Sequence, residues 1–196
     1  MPVMWDLCSG LGGASEAFLH NGWTVIRIEN NPDLKYVQDT IIMDLKDFEK
    51  EMDSYPRPDL IWASPPCLEF SNAFAAPKMQ ARMLQEEYNP NMEMFRLCEN
   101  IIHQMNPDYW VIENVMGAQE YFNDFIGKPN QIITSFCLWG QFPRILMPKG
   151  YKHLKHDVGS KNPLRSNYRA IIPYEVSLQL MKSIQEQTKI EDWFLL

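Results

Sequence analysis

The fold is decided near the amino terminus, where Val3-Met4-Trp5-Asp6-Leu7 runs into Cys8-Ser9-Gly10-Leu11-Gly12-Gly13. The first five residues form an apolar run of strand length, and the three glycines then allow a sharp turn. Helical spacing follows from residue 14 to residue 19 and ends at Asn21-Gly22, a typical helix stop. A strand, a Gly-rich turn and a helix in this order predict a ligand site at the helix start, although simple tight turns share the pattern.

Short apolar runs alternate with helical patterns along the rest of the chain. Strands are predicted at residues 23–28, 41–43, 60–63, 109–112, 131–138 and 145–147, and helices at 92–104 and 174–185. Loops are predicted over residues 74–89 and 148–167. This alternation predicts an α/β fold of the Rossmann-like type, with a mostly parallel sheet and helices on both faces.

Five residues with useful chemistry stand at the ends of predicted strands: Asp6, Glu29, Asp44, Cys67 and Glu113. Ligands bind outside the carboxyl ends of the strands in such sheets. An acid at the place of Glu29 commonly accepts hydrogen bonds from ribose hydroxyls, and Asp44 can accept from an adenine amine. Taken singly, each acid is equally consistent with a helix cap or a solvated strand end.

Length and composition favour one domain over residues 1–196, without a second-domain boundary. No apolar run approaches the roughly 18 residues that span a bilayer, and the first residues lack the pattern of a signal peptide. The four cysteines are far apart, so we expect neither a zinc site nor a disulfide framework, no metal, and a cytoplasmic location. They are Cys8, Cys67, Cys98 and Cys137.

The formal net charge is −7, which argues mildly against a phosphate-binding protein. The basic residues are nevertheless concentrated between residues 144 and 169, where Asp157 is the only acid. They are Arg144, Lys149, Lys152, Lys155, Lys161, Arg165 and Arg169. The stretch is either a solvated loop or the electrostatic footprint of a nucleic-acid contact.

The residues from Asp6 to Gly13 resemble the opening motif of the DNA cytosine-C5 methyltransferases, with Cys8 where Phe is usual. The resemblance implies that S-adenosylmethionine is the cofactor and S-adenosylhomocysteine its product. Asn30 stands where the family often has Trp. The cofactor-binding residues so implied are Asp6, Cys8, Ser9, Gly10, Gly12, Gly13, Phe18, Glu29, Asn30, Asp44, Pro65 and Asn167.

Two further motifs resemble the catalytic half of that family. Residues 63–71 (Ala-Ser-Pro-Pro-Cys-Leu-Glu-Phe-Ser) are similar to its Pro-Pro-Cys motif, with Leu68 where Gln is usual and Ser71 as a candidate nucleic-acid contact. About 46 residues later, residues 111–115 are similar to its Glu-Asn-Val motif. The resemblance implies that Cys67 is the nucleophile and that Glu113 contacts N3 of a flipped cytosine. These residue types suit the chemistry, because a thiolate is a strong nucleophile. A carboxyl group with a raised pKa can protonate N3 of the cytosine or donate a hydrogen bond to it.

The carboxyl-terminal third matches the family less closely. Residues 167–173 resemble its last motif, in which Asn167 would close over the cofactor, although Pro173 is also an ordinary helix start. In place of the family's Gln-x-Arg-x-Arg motif the chain has Gln141 and Arg144. Arg144 is the catalytic candidate, with Arg165 and Arg169 as alternatives.

The family's large target-recognition insert is missing, since only about twenty residues separate Arg144 from Asn167. Such a segment can bind phosphates by charge but has little surface for reading base edges. We expect a small, phage-type member of the family, of the type found in restriction-modification systems. We also expect a short or weak sequence specificity, a single-stranded substrate, or a protein partner that supplies recognition.

Three functions remain open from the sequence. The first is a methyltransferase acting on cytosine in DNA. The second is the same chemistry on RNA or single-stranded DNA, or with a modified S-adenosyl donor. The third is a nucleic-acid-binding protein of the same fold without catalysis, which the departures at Cys8, Asn30 and Leu68 favour and the retention of Cys67 with Glu113 opposes.

Overall fold

The computed structural model of the protein describes residues 1–71, 79–81, 83–153, 159 and 161–194, and for residues 188–194 the backbone alone. This part of the chain contains a seven-stranded sheet. Its strands are β1 (Val3–Leu7), β2 (Thr24–Glu29), β3 (Thr40–Ile42), β4 (Leu60–Ala63), β5 (Tyr109–Val115), β6 (Gln131–Ile133) and β7 (Phe136–Gln141).

The strand order is β3-β2-β1-β4-β5-β7-β6. The first five strands in this order are parallel, β7 runs antiparallel to β5, and β6 runs antiparallel to β7. The prediction of a mostly parallel, Rossmann-like sheet is therefore confirmed. The chain leaves β1 towards β2 on one side and later returns to β4 on the other, so the turns after β1 and β4 flank the crevice where such folds bind ligands.

Helices cover both faces of the sheet. They are α1 (Glu16–His20), α2 (Leu45–Glu51), α3 (Glu93–Met105), α4 (Gln119–Ile126), α5 (Arg165–Ala170) and α6 (Tyr174–Phe194), with short 3-10 turns at Pro32–Leu34, Met52–Ser54 and Met116–Ala118. The predictions of α1, α3 and α6 are confirmed, and α3 buries the predicted apolar face. Helices α2 and α4 were not predicted, and α5 lies at the end of a predicted loop. Each of these three is eight residues or shorter, too short for a clear periodic signal.

Two strand predictions are wrong. Residues 131–138 form a hairpin, β6 and β7, because Thr134 adopts a left-handed conformation with φ of 54° that ends the first strand. Residues 145–147 form no strand. The carboxamide of Gln131 instead accepts from the N–H of Ile145 at 2.9 Å and donates to its carbonyl at 2.8 Å. A side chain therefore takes the place of a backbone ladder.

The central strands are buried on both faces. In β4, Leu60 and Trp62 belong to the core beneath α1 and α6, whereas Ile61 and Ala63 belong to the core beneath α2, α3 and α4. All four side chains are fully buried. A strand covered on both sides must be apolar throughout, which explains its continuous apolar sequence. No helix in the described ranges combines the length and the apolar character needed to cross a membrane.

The start of α6 holds the Gly-rich turn in place. Ser177 Oγ donates to the carbonyl of Ala14 at 2.7 Å and accepts from the N–H of Ala17 at 3.2 Å. Just before the helix, the carbonyl of Ile172 lies so close to Gly13 that a Cβ there would approach it to 2.2 Å. The absence of a side chain at Gly13 therefore permits this contact between the two ends of the chain.

We predict that Gly13→Ala lowers the free energy of unfolding by about 3 kcal/mol, because the new methyl group collides with backbone that cannot rotate away. Gly22→Ala is the matched control. Its φ is +82°, and no described atom lies within 4 Å of the added Cβ, so only strain of about 1 kcal/mol is expected. Urea denaturation of both variants measures the difference, and an equal loss in the two would contradict the close contact.

Candidate active site

Cys67 lies in the turn that follows β4. The N–H of Ser64 donates to the carbonyl of Leu7 at 3.0 Å and extends the pairing of β4 with β1 by one residue. Pro65 and Pro66 then end the ladder, since proline has no N–H to donate. The nucleophile candidate therefore sits at the carboxyl edge of the sheet, and its side chain is partly exposed.

The residues after Cys67 fold back on it. The N–H groups of Phe70 and Ser71 both donate to the carbonyl of Cys67, at 3.1 and 2.9 Å. The buried ring of Phe70 packs edge-on against Phe122, with ring centroids 5.0 Å apart. The Phe-Ser pair thus anchors the turn to the core, and the predicted contact of Ser71 with nucleic acid stays a prediction.

Glu113 stands on the strand next to Cys67. Ala63 of β4 pairs with Ile112 of β5, which confirms that the two candidates are on neighbouring strands. Ser64 Oγ donates to Glu113 Oε2 at 3.0 Å, and Trp62 Nε1 donates to Ser64 Oγ at 2.9 Å. A serine and an indole therefore connect the carboxyl group to the cysteine turn.

Burial raises the pKa of Glu113 from 4.5 to about 7, and the hydrogen bond from Ser64 opposes this only in part. The residue is 8% exposed. Because its pKa is close to neutrality, the carboxyl group can hold a proton and release it under physiological conditions, which suits general acid–base chemistry.

Asn114 connects the same two segments a second time. Its side chain is buried, and Nδ2 donates to the carbonyl of Pro65 at 2.9 Å. Its Oδ1 accepts from the N–H of Val115 at 2.9 Å, which fixes the orientation of the amide. Asn114 therefore connects the Pro-Pro-Cys turn to β5, the strand that carries Glu113. The motif alone did not assign this role to Asn114.

The Gly-rich turn after β1 uses left-handed backbone three times, with φ of 57° at Cys8, 54° at Gly10 and 75° at Gly12. Glu29 shapes this turn from β2. Its Oε2 accepts from the N–H of Gly10 at 2.8 Å, and its Oε1 accepts from the N–H of Asn31 at 2.9 Å. Each oxygen keeps a further lone pair, so binding of ribose hydroxyls by Glu29 stays a prediction.

Cys8 is chemically unlike Cys67. Contact with the Cys98 thiol and burial hold the pKa of the Cys8 thiol well above its usual value. The side chain packs against the core that contains Cys98. Cys8 is therefore a neutral thiol that supports the turn and does not act as a second nucleophile.

Arg27 is a buried residue that the sequence analysis missed. Its guanidinium donates to Ser15 Oγ at 2.8 Å, to the carbonyls of Gln38 and Gly12 at 2.7 and 3.1 Å, and to Glu16 at 3.0 Å. The guanidinium is buried whereas its acidic partner Glu16 is partly exposed, so Arg27 supports the turn mainly through its hydrogen bonds to Ser15 and to the two carbonyls. Its sequence signal is a charged residue flanked on both sides by apolar residues within β2.

Asp6 belongs to the same network. Ser15 Oγ donates to Asp6 Oδ2 at 2.5 Å. Burial raises the pKa of Asp6 to about 7, against the lowering effects of Ser15 and Arg27 and with a smaller rise from Glu29. Asp6 thus stands inside the domain, beneath the turn.

Two buried polar atoms beside the turn, Asp6 Oδ1 and Ser9 Oγ, have no hydrogen-bond partner among the described residues. Leaving such a group unsatisfied costs about 1–3 kcal/mol. A polar ligand in the crevice would supply the missing partners. The donor set of the turn therefore fits a ligand rich in hydroxyl, amino and carboxylate groups.

The other predicted cofactor residues are spread around this crevice. A Cβ on Gly10 would lie 3.8 Å from Asn167 Nδ2, so the first and last motifs meet. Asn30 is exposed at the end of β2. Asp44 caps α2 by accepting from the N–H of Lys46 at 2.8 Å and is also exposed, so the capping alternative holds for it.

Phe18, another predicted cofactor residue, lies on the buried face of α1. Its ring is fully buried and packs edge-on against Trp23, with ring centroids 4.9 Å apart. The short helix α1 turns Ala17 and Phe18 inward, towards the core beneath α6. Phe18 therefore packs in the core, and the cofactor contact that the resemblance implies for it stays a prediction.

Arg144 follows β7, which runs antiparallel to β5, so Gln141 at its end pairs with Trp110 near the start of β5. The Arg144 carbonyl accepts from Ser183 Oγ of α6 at 3.1 Å, and the side chain is exposed. The structure therefore does not group Arg144 with Glu113, and its catalytic role stays a prediction.

The remaining basic candidates are on the surface near the last motif. Arg165 and Arg169 lie on α5 with Asn167, and Arg165 is half-buried. Lys149, Lys152, Lys161 and Arg169 are exposed. Lys155 lies outside the described residues, as do residues 72–78 and 82 in and around the first predicted loop.

The sequence model of a family described as C-5 cytosine-specific DNA methylase matches residues 3–136. A search of curated proteins finds no match. Among solved structures, one similar chain is from E. coli and is described as a candidate DNA modification methyltransferase encoded within a prophage. It is 17% identical with a TM-score of 0.44, and the alignment covers 63% of this chain but only 34% of that one.

The raised pKa of Glu113 predicts a pH-dependent stability. The folded protein binds this proton more tightly than the unfolded chain, so the stabilisation is complete below about pH 4.5 and is lost as the pH rises to about 7. Glu113→Gln should therefore match the parent near pH 4 and exceed its free energy of unfolding at pH 8 by up to about 3 kcal/mol. Chemical denaturation at both pH values measures this.

The exposed residue Glu86 provides the control. Glu86→Gln should change stability by less than about 0.5 kcal/mol at either pH. A Glu113→Gln effect of the same size at pH 4 and pH 8 would contradict the raised pKa.

Proposed function

The chain belongs to the C-5 cytosine-specific DNA methylase family, and we propose that it transfers a methyl group from S-adenosylmethionine to C5 of cytosine in DNA. One observation carries the proposal. A partly exposed cysteine in the turn after β4 and a buried carboxyl group with a pKa near 7 on the neighbouring strand β5 are joined through Ser64 and Asn114. A purely structural domain needs neither group.

Cys67 would activate the base by covalent attack. Cytosine C5 is a poor nucleophile, so the Cys67 thiolate first adds to C6 and forms an S–C bond. The electron pair displaced from the C5–C6 double bond gives C5 enamine character. After C5 has gained its methyl group, loss of the C5 proton to a base restores the double bond and expels the thiolate. The target must leave the base stack to reach Cys67.

Glu113 would balance the charge of this step. Addition at C6 places negative charge on the ring, and protonation of N3 by Glu113 neutralises it. A carboxyl group of ordinary pKa would be ionised at pH 7 and could not donate. The return of the proton during elimination leaves Glu113 ready for the next cycle.

The crevice after β1 fits S-adenosylmethionine, whose role is to supply the methyl group. The turn from Cys8 to Gly13 would bind it with backbone amides, and Ser9 Oγ and Asp6 Oδ1 would gain partners there. Glu29, Asn30 and Asp44 would stand on the adenosine side, with Pro65 and Asn167 closing the crevice. The C-terminal contact of Asn167 with Gly10 supports this arrangement.

We predict that the protein forms a covalent complex with duplex DNA that contains 5-fluorocytosine, in the presence of S-adenosylmethionine. Because fluorine replaces the C5 hydrogen, no proton can be removed from C5 and the elimination step is blocked. The Cys67–C6 bond then persists, and the complex is detected on a denaturing gel. Single-stranded DNA and RNA with the same base form the parallel arms. If the complex forms only with single-stranded DNA or only with RNA, that nucleic acid replaces duplex DNA as the proposed substrate. If the protein binds S-adenosylmethionine but forms no complex with any of the three, the proposed catalytic function is wrong.

Matched variants assign the roles. Cys67→Ser should abolish trapping, whereas Cys137→Ala, which removes a buried thiol, should retain it. Glu113→Gln should slow adduct formation by about 100-fold, the usual effect of losing a general acid. If either Cys67→Ser or Glu113→Gln traps as fast as the parent, the role given to that residue is wrong.

The basic residues of α5 and the preceding segment would contact phosphates, with Arg144, Arg165 and Arg169 as candidates for the missing arginine motif. Helix α5 begins only 24 residues after β7 ends, which leaves little surface for reading bases. We predict that bisulfite sequencing of DNA treated with the isolated chain shows a short or degenerate target. A long, strict recognition sequence would contradict this, and gain of specificity on adding host extract would point to a protein partner.

A further inference from the structure

The hydrogen-bonded chain from Trp62 through Ser64 to Glu113 lies beside Cys67 and is not explained by the fold alone. We propose that Ser64, oriented by Trp62, is a positioning residue that fixes which oxygen of the Glu113 carboxyl group carries the catalytic proton. This inference rests on the proposed function, in which Glu113 donates to the cytosine ring.

The direction of each hydrogen bond follows from the chemistry of the donors. An indole N–H can only donate, so Trp62 Nε1 must donate to Ser64 Oγ, across 2.9 Å. The hydroxyl group has one hydrogen, and Glu113 Oε2 is its acceptor, at 3.0 Å. The structure gives Ser64 Oγ no other acceptor among the described residues. Trp62 occupies one lone pair of the hydroxyl, and donation to Oε2 is the arrangement that gives the hydroxyl hydrogen an acceptor among the described residues.

The proton of the neutral carboxyl group is then confined to Oε1. Within the part of the chain that the structure describes, no hydrogen bond reaches Oε1. Oε2 keeps one lone pair after Ser64 has donated to it. The group therefore offers one donor and one acceptor, the pair that matches the N3 acceptor and the exocyclic amine of cytosine.

The support for this arrangement is rigid. Trp62 is fully buried within β4, and the backbone of Ser64 is fixed by its bond to Leu7. Glu113 is on β5, which pairs with β4. The acid is thus oriented by the sheet itself and not by the segment that follows Cys67, so its geometry does not depend on how that segment sits.

The first test measures the carboxyl group directly, without any reaction. The hydrogen bond from Ser64 favours the ionised form, so Ser64→Ala should raise the pKa of Glu113 above the parent's value of about 7. Carbon-13 NMR titration of the unliganded protein follows the Glu113 carboxyl resonance, assigned with Glu113→Gln. Trp62→Phe, which lets the hydroxyl rotate, should shift the pKa in the same direction by less.

Ser177→Ala controls for general damage. Like the half-buried Ser64, the buried Ser177 has one donated and one accepted hydrogen bond, but it lies on α6 and bonds to Ala14 and Ala17. Its loss should lower stability while leaving the Glu113 pKa unchanged. Ser64→Thr keeps a hydroxyl at the position and should restore the parent's pKa.

The second test is the pH profile of adduct formation on 5-fluorocytosine DNA. Below pH 6, where Glu113 is protonated in all variants, Ser64→Ala should react about tenfold more slowly, because the proton is no longer held in one place. The fall in rate on the alkaline side should move to higher pH, in step with the measured pKa. Ser64→Thr should recover most of the rate.

The outcomes separate the two proposals. If Ser64→Ala leaves the Glu113 pKa and the pH profile as in the parent, Ser64 does not position the acid, whatever the enzyme does. A rate loss at unchanged pH profile, like that of a merely destabilised variant, also overturns the inference. If the parent forms no adduct while the titration shows the expected shift, the proposed function fails and the hydrogen-bonded chain stands.

Discussion

Parallel pairing of β4 with β1 on one side and β5 on the other is the constraint on which the site depends. Because these strands point the same way, the turn after β1, the cysteine turn after β4 and Glu113 near the end of β5 all reach the same edge of the sheet. Helices cover both faces, so that edge is where the crevice opens and where ligands reach the strand ends. The register of β5 decides the face of the sheet on which Glu113 lies, since a shift of one residue would turn its side chain towards the opposite face.

Two buried carboxyl groups flank this edge, and each is bound by a serine. Ser15 donates to Asp6, and Ser64 donates to Glu113. The donor to each serine hydroxyl differs: the charged guanidinium of Arg27 donates to Ser15, whereas the neutral indole of Trp62 donates to Ser64. The cation at Asp6 serves to lock a turn of strained backbone. Burial raises the pKa of both carboxyl groups to about 7, but Glu113 is the one beside the cysteine turn, and there no described cation opposes the rise.

The sequence predicts those parts of the site that depend on local pattern. The apolar runs predict both ends of β1 and of β4 correctly. The motifs around them identify Cys67 and Glu113 as candidates. Arg27 escaped prediction because its partners come from separate segments that only the folded chain brings together. The reversed direction of β7, which carries Arg144 away from Glu113, is likewise a tertiary choice that strand propensity does not encode.

A division of labour follows from where the charges lie. The chemical groups are mounted on paired strands, whereas the basic residues are on the short segment after β7 and on α5. The whole chain has a net charge of −7, so this locally basic segment is the stretch of sequence best suited to attract a phosphate backbone. Each phosphate neutralised lowers the slope of log affinity against log salt by about 0.9, so even six contacts would make binding strongly salt-dependent. On the proposed function, such binding would hold the protein on DNA without choosing a base. On the proposal for Ser64, Glu113 would add a choice at the target, because a carboxyl proton held on one oxygen pairs with the N3 acceptor of cytosine and not with a ring whose N3 already carries hydrogen.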